Sequence, residues 1–180
     1  AELAHLLPPF VVPVLLYVNA SQAEVAAGLT ALPHELLQFH GDETPAVCDA
    51  WARPHMRAVA MQPGVDLVDF GHRFKNASAL LLDAPVDGFG GGGKVFNWSL
   101  VTSPSTSGLH AANAPVRTPV VLSGGLNPAN VIDGVLAVRP YAVDVSSGVE
   151  RSKGVKDAAL IHQFCDAVRQ ADARLKPPTP

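Results

Sequence analysis

Residues 80–98 read LLLDAPVDGFGGGGKVFNW, an apolar strand that ends in an acid and runs into a glycine-rich loop. By spelling alone, Gly88 to Lys94 satisfies the phosphate-cradle pattern G-x-x-x-x-G-K, while Gly88, Gly90 and Gly93 satisfy the dinucleotide pattern G-x-G-x-x-G. Context speaks against both. The phosphate cradle needs Ser or Thr after the lysine to hold Mg²⁺, and Val95 stands there. The dinucleotide pattern needs a helix to open within it, whereas KVFNW reads as extended or turning. The stretch is better read as a buried strand that delivers Asp83 to the start of a loop of bare backbone.

Working outward, similar apolar, β-branched runs recur: VLLYVN from Val14, LLQFHG from Leu36, AVAMQ from Ala58, PVVLSGG from Pro119 and YAVDVSSG from Tyr141. Most begin roughly 22 residues apart, room for one strand, one helix and two short loops. Their near-continuous hydrophobicity predicts parallel strands buried on both faces. Between them, Ser21, Thr44-Pro45 and Asn127-Pro128 stand where helix caps belong, and a last helix is expected over about Val155 to Ala173, before a frayed tail at 176–180. A doubly wound open sheet and a β/α barrel both fit this alternation. Polar residues end nearly every strand: Asn19, His40, Gln62, Asp83, Ser123 and Ser146. A barrel gathers residues from many strand ends on one face, so the barrel is favoured, as a single domain over 1–175. Six strands are legible and a closed barrel of this type has eight, so about six of eight βα units are expected, an incomplete (β/α)8 TIM barrel.

Composition limits the partners. A net charge of −3 provides no basic face for nucleic acid. No uninterrupted apolar run is long enough for a membrane span. The run LLPPFVVPVLLYVNASQA has no basic residue ahead of it and is broken by Pro8, Pro9 and Pro13, so it is not read as a signal peptide. Two cysteines, Cys48 and Cys165, fall in helical stretches without metal or redox spacing, which favours a reducing, cytoplasmic setting. His34, His40 and His55 lie on different elements without ligand spacing, so no metal is expected.

Burial at the end of its strand favours the protonated form of Asp83, as a general acid requires; the alternative is an Asp that caps the next turn. Asp144 lies within YAVDVSS, where it is expected to be buried and therefore paired or functional. His40, at the turn in QFHGDE, suits the same face or a structural bond to its own loop. The glycines and serines of LSGGLNPANV and DVSSGVE expose backbone N–H groups where barrels commonly bind phosphate.

Taken in order, LQFHGDE, LLLDAPVDGFGGGGKVFNW, VVLSGGLNPANV and YAVDVSSGVE resemble phosphoribosylanthranilate isomerase of tryptophan biosynthesis, over nearly all of Ala1 to about Ala171. The resemblance implies a (β/α)8 barrel that carries out an Amadori rearrangement of N-(5'-phosphoribosyl)anthranilate without a cofactor. It implies Asp83 as the general acid, His40, Asp144, Gly91 and Gly92 around the substrate, and Gly124, Gly125, Ser146, Ser147 and Gly148 around its phosphate. The family's general base, a cysteine at the end of the first strand, has no counterpart here, nor does an arginine after the second strand. Both absences are expected if two strands precede Ala1. Asn97 replaces the family's usual Asp, and TSPSTSGLHAANAPVR departs from the usual sixth helix. Weak or absent turnover is therefore expected of these 180 residues. A non-catalytic phosphosugar-binding or vestigial barrel is the alternative.

Overall fold

The structure, a computed structural model, describes residues 4, 6–32, 35–85, 95–102 and 118–175. Six parallel strands form one sheet: β1 (Val14–Tyr17), β2 (Leu36–Phe39), β3 (His55–Ala60), β4 (Ala79–Asp83), β5 (Val120–Leu122) and β6 (Ala142–Val143). Their spatial order equals their chain order. A doubly wound sheet reverses direction at a switch point, whereas an arc that never reverses is the topology of a β/α barrel, as the strand-end residues predicted. Helices α1 (Gln22–Ala31), α2 (Pro45–Asp49), α3 (Leu67–Arg73), α4 (Ser99–Thr102), α5 (Val131–Val138) and α6 (Ala158–Leu175) intervene or follow. A small antiparallel hairpin, β7 (Glu150–Ser152) with β8 (Val155–Lys156), sits between β6 and α6.

Helix starts follow local chemistry. Ser21 and Glu24 form a reciprocal capping box on α1. Thr44 caps α2 with Pro45 at its first position, and Asp66 accepts the N–H groups of Val68 and Asp69 at the head of α3. Two expected starts are corrected. Asn127 makes the bonds of a cap, its side chain accepting the Ala129 N–H and its carbonyl the Val131 N–H, but residues 128–130 form a turn, closed by the Asn127 N–H to Asn130 Oδ1, and α5 itself begins only at Val131. The last helix begins at Ala158 rather than Val155, because Val155 and Lys156 pair with the preceding strand and Asp157 accepts the N–H groups of Ala159 and Leu160.

Alternation along the strands divides the core in two. Leu37, Phe39, Val59, Leu80, Leu82 and Leu122 point to the helices and pack with Cys48, Leu67, Phe74, Val101, Val131, Val135 and Phe164. The other face carries a smaller cluster of Ala58, Ala79, Leu81 and Val121, with Met56 against it. On the helix-facing side, burial pushes the Cys48 thiol up to about 11. Among the described residues, β1 and β6 each have one unpaired side, and Val14, Leu16 and Tyr141 beside those edges are exposed, as is Phe10.

Two outcomes are expected. An unpaired edge beside exposed aliphatic side chains is a template for association; the 180-residue chain should self-associate in light scattering, and a monodisperse monomer with a sharp melt would contradict this. The unfolded Cys48 thiol loses its proton near its ordinary value of 9.0, whereas the folded one holds it to about 11. The folded state then binds more protons than the unfolded state, so its contribution to stability falls as pH rises from 9 to 11. Replacing Cys48 with Ala should flatten that part of a urea-denaturation series against pH; an unchanged slope would sink the assignment.

Candidate active site

The C-terminal ends of the strands carry the polar residues. His40 follows β2 and Asp83 ends β4, so β3 lies between them. Neighbouring strands are about 4.8 Å apart, so a side chain on β2 must cross the whole of β3 to reach β4. On its inner face β3 presents only methyl groups, Ala58 and Ala60, at these levels. His40 Nε2 lies 2.9 Å from Asp83 Oδ2, both side chains being about seven-eighths covered. Gln38 Nε2 approaches His40 Nδ1 at 3.1 Å, and Asp83 Oδ1 accepts the Ala84 N–H at 2.8 Å. A cavity of about 360 Å³ opens here, lined by His40, Asp42, Arg57, Gln62, Asp83 and Pro85 among others.

The loop carrying His40 is fixed from beneath. Arg57, in the middle of an apolar strand, donates to the Phe39 carbonyl at 2.9 Å and the Gly41 carbonyl at 2.6 Å. Its guanidinium lies over the Phe74 ring, 5.2 Å from the centroid. Burial pulls the pKa of Arg57 down, and nearby Glu43 opposes the shift. Glu43 in turn accepts the N–H groups of Asn19 and Gly41. Sequence reading passed over Arg57, Glu43 and Gln38, although a charge inside HMRAVA and an amide inside LLQF are signals in themselves.

The loops after β5 and β6 form the other half of the face. Gly124 and Gly125 have positive φ, +79° and +63°, which favours glycine. A Cβ on Gly124 would press on the Ala84 N and on Asp83 Oδ1, so this bare backbone lets the loop approach the acid. A Cβ on Gly148 would collide with the Leu126 carbonyl, so the two loops are in direct contact. Ser146 and Ser147 are exposed, and Lys156 donates to the Ser146 carbonyl at 2.8 Å and approaches its hydroxyl at 3.2 Å. Lys156, also unforeseen, thereby orients this loop from the hairpin.

Asp144 corrects its expectation. It is exposed rather than buried, because it follows β6, which among the described residues has a strand on one side only; its carboxylate accepts the Ser123 hydroxyl at 3.0 Å. The structure thus groups His40 with Asp83 and brings Gly124 against them, with Asp144 bonded one residue before Gly124. Gly91 and Gly92 lie outside the described residues, as do His34 and the 176–180 tail. Neither described cysteine reaches this face: Cys48 is buried among the helix-facing core and Cys165 is exposed on α6. Among the described residues no cluster of three metal-ligating side chains occurs, and no helix is long and apolar enough to cross a membrane.

Comparison with known proteins adds an independent line. The family model described as N-(5'phosphoribosyl)anthranilate (PRA) isomerase matches residues 4–167. N-(5'-phosphoribosyl)anthranilate isomerase of Leptothrix cholodnii is 60% identical over 174 residues, covering 97% of this chain and 74% of that protein. The protein of the same name from Methylibium petroleiphilum is 60% identical over 175 residues, covering 97% and 77%. Among solved structures, phosphoribosyl anthranilate isomerase from Thermus thermophilus superposes with a TM-score of 0.76 at 27% identity, covering 94% of this chain and 78% of that one. A phosphoribosyl anthranilate isomerase in complex with reduced 1-(o-carboxyphenylamino)-1-deoxyribulose 5-phosphate superposes at 0.73 with 29% identity, covering 94% and 77%.

The contact between the two glycine loops generates a prediction. Gly148→Ala should force them apart, costing about 1–3 kcal/mol of stability in urea unfolding and weakening inorganic phosphate in a calorimetric titration. Unchanged values in both measurements would show that the loops do not depend on this contact.

Proposed function

The chain belongs to the N-(5'-phosphoribosyl)anthranilate isomerase family, and from that premise we propose that its site converts N-(5'-phosphoribosyl)anthranilate to 1-(2-carboxyphenylamino)-1-deoxyribulose 5-phosphate in tryptophan biosynthesis. In this reading Asp83 gives its proton to the furanose ring oxygen. The ring opens to an iminium ion, which acidifies the neighbouring C2–H bond. Removal of that proton leaves an enolamine, which becomes the ketone by taking a proton at C1. C1 is reduced as C2 is oxidised within one molecule, so the electron count closes without an external oxidant or reductant.

His40, Asp144, Gly91 and Gly92 are assigned to the sugar and anthranilate, and Gly124, Gly125, Ser146, Ser147 and Gly148 to the phosphate. The observation that carries the reading is the bond between His40 and Asp83 at the strand ends, 2.9 Å, with the Gly124 loop pressed against the same carboxylate. An acid so placed faces the space between the dyad and the phosphate loops, where a phosphosugar would present its ring oxygen. We further read the six-strand arc as part of a single eight-unit barrel domain, with the open sides of β1 and β6 as the places where two more units close it. A cytoplasmic setting suits a phosphorylated biosynthetic intermediate.

A second reading, a phosphosugar-binding barrel without turnover, is favoured by one observation: both described cysteines lie off the site face, so the acid is present there without a thiol base. One assay separates the two. Substrate is incubated with the chain and product is measured by chromatography, alongside calorimetric binding of the product. Turnover supports the isomerase, and binding alone supports the second reading. For an active enzyme, Asp83→Asn should lower kcat by about 10² to 10⁴-fold with KM little changed, since it removes the proton but keeps the shape. Full activity in that variant would remove Asp83 from the acid role.

A further inference from the structure

Gln38 is an amide in an apolar place. It sits mid-strand on the inner face of β2, 6% exposed, in register with Met56 and facing the cluster of Ala58, Ala79 and Leu81. A buried amide needs a hydrogen-bond partner, and the one it has is His40 Nδ1 at 3.1 Å.

The direction of that bond fixes the direction of the next. An amide nitrogen only donates, so with that nitrogen toward the ring Nδ1 presents a lone pair. The neutral ring then carries its proton on Nε2 and donates to Asp83 Oδ2. With the Ala84 N–H on Oδ1, both oxygens of Asp83 receive donors, which is an arrangement for a carboxylate. An Asp83 that holds a proton on Oδ2 needs the reverse. Nε2 must accept, the ring proton must sit on Nδ1, and the group facing Nδ1 must be the amide oxygen. A half-turn about the Cγ–Cδ bond of Gln38 exchanges nitrogen for oxygen.

We propose that Gln38 is a positioning residue that selects, through the tautomer of His40, whether Asp83 stands as carboxylate or acid, presenting its amide nitrogen to Nδ1 in the first state and its oxygen in the second. This rests on the reading of Asp83 as the general acid. The protons balance. Loading adds one proton to Asp83 while the ring exchanges its proton from Nε2 to Nδ1 with solvent; donation to the substrate oxygen returns both groups to the first state. Among the described residues, the other charged groups at this end include Asp42 and Glu43 on the loop after β2, Arg57 on β3 and Asp144 after β6, which accepts the Ser123 hydroxyl. Arg57 is committed to the carbonyls of Phe39 and Gly41, and Glu43 to the N–H groups of Asn19 and Gly41. Among the described residues, Gln38 alone bonds to Nδ1 of His40.

The test reads the tautomer directly and needs no turnover. The chain is labelled with ¹⁵N-histidine, the His40 signals are identified by their loss in His40→Asn, and long-range ¹H–¹⁵N spectra are recorded at a pH where the ring is neutral. The parent should show the Nε2–H form. Gln38→Glu, an acceptor only, should convert the ring to the Nδ1–H form, and Gln38→Met, with no partner to offer, should give a mixture. A parent ring with its proton on Nδ1, or a Glu variant that keeps the parent's tautomer, would overturn the proposal, and the Glu result stands if the Met variant does not fold. Loss of the acid role would appear instead as full activity of Asp83→Asn, so failure of the two readings is distinguishable.

Discussion

The parallel register that sets Ala60 beside Asp83 and Leu82 beside Leu122 is the constraint on which the rest of the molecule depends. Because side chains alternate along each strand, this register sends Leu80 and Leu82 to the helices and Ala79, Leu81 and Asp83 to the opposite face. A slip of one residue would turn the carboxylate into the helix-facing core and the leucines out of it. Stability and chemistry therefore draw on the same strand in alternate positions, and the apolar half enforces the placement of the polar half.

The architecture was legible because parallel βα units impose strong local signals. Six strands and the caps at Ser21 and Thr44 follow from hydrophobic runs, N-cap chemistry and proline placement. The choice of barrel over open sheet came from polar residues at many strand ends, and the unreversed strand order bears it out. The failures were at boundaries and edges. Asn127 bonds as a cap does, yet a turn over residues 128–130 comes before the helix, because capping and turn formation use the same side-chain oxygen and the residue alone does not say which follows. The apolar neighbours of Asp144 point to burial, but a sequence window does not reveal that its strand stands at the edge of the described sheet.

Within the site, the residues that sequence reasoning selected are those whose chemistry is conspicuous. Those it missed act on other residues. Arg57 holds the carbonyls on either side of His40, Glu43 gathers the N–H groups of two loops, and Lys156 braces Ser146. Such support is long-range in sequence and becomes visible only once strands are set side by side. Even so, Arg57 and Gln38 carried a warning, because each places a polar group where the surrounding pattern demands an apolar one.

The two alanines of β3 have an implication for how this sequence can drift. A β-branched residue suits a strand better than alanine does, and a Val or Ile at position 58 or 60 would add apolar surface to a sparse inner cluster. A procedure that optimised folding alone would make that exchange. It would also fill the gap through which His40 reaches Asp83. At these positions the need of the site thus runs against the preference of the fold, and the two methyl groups leave the room that the bond passes through.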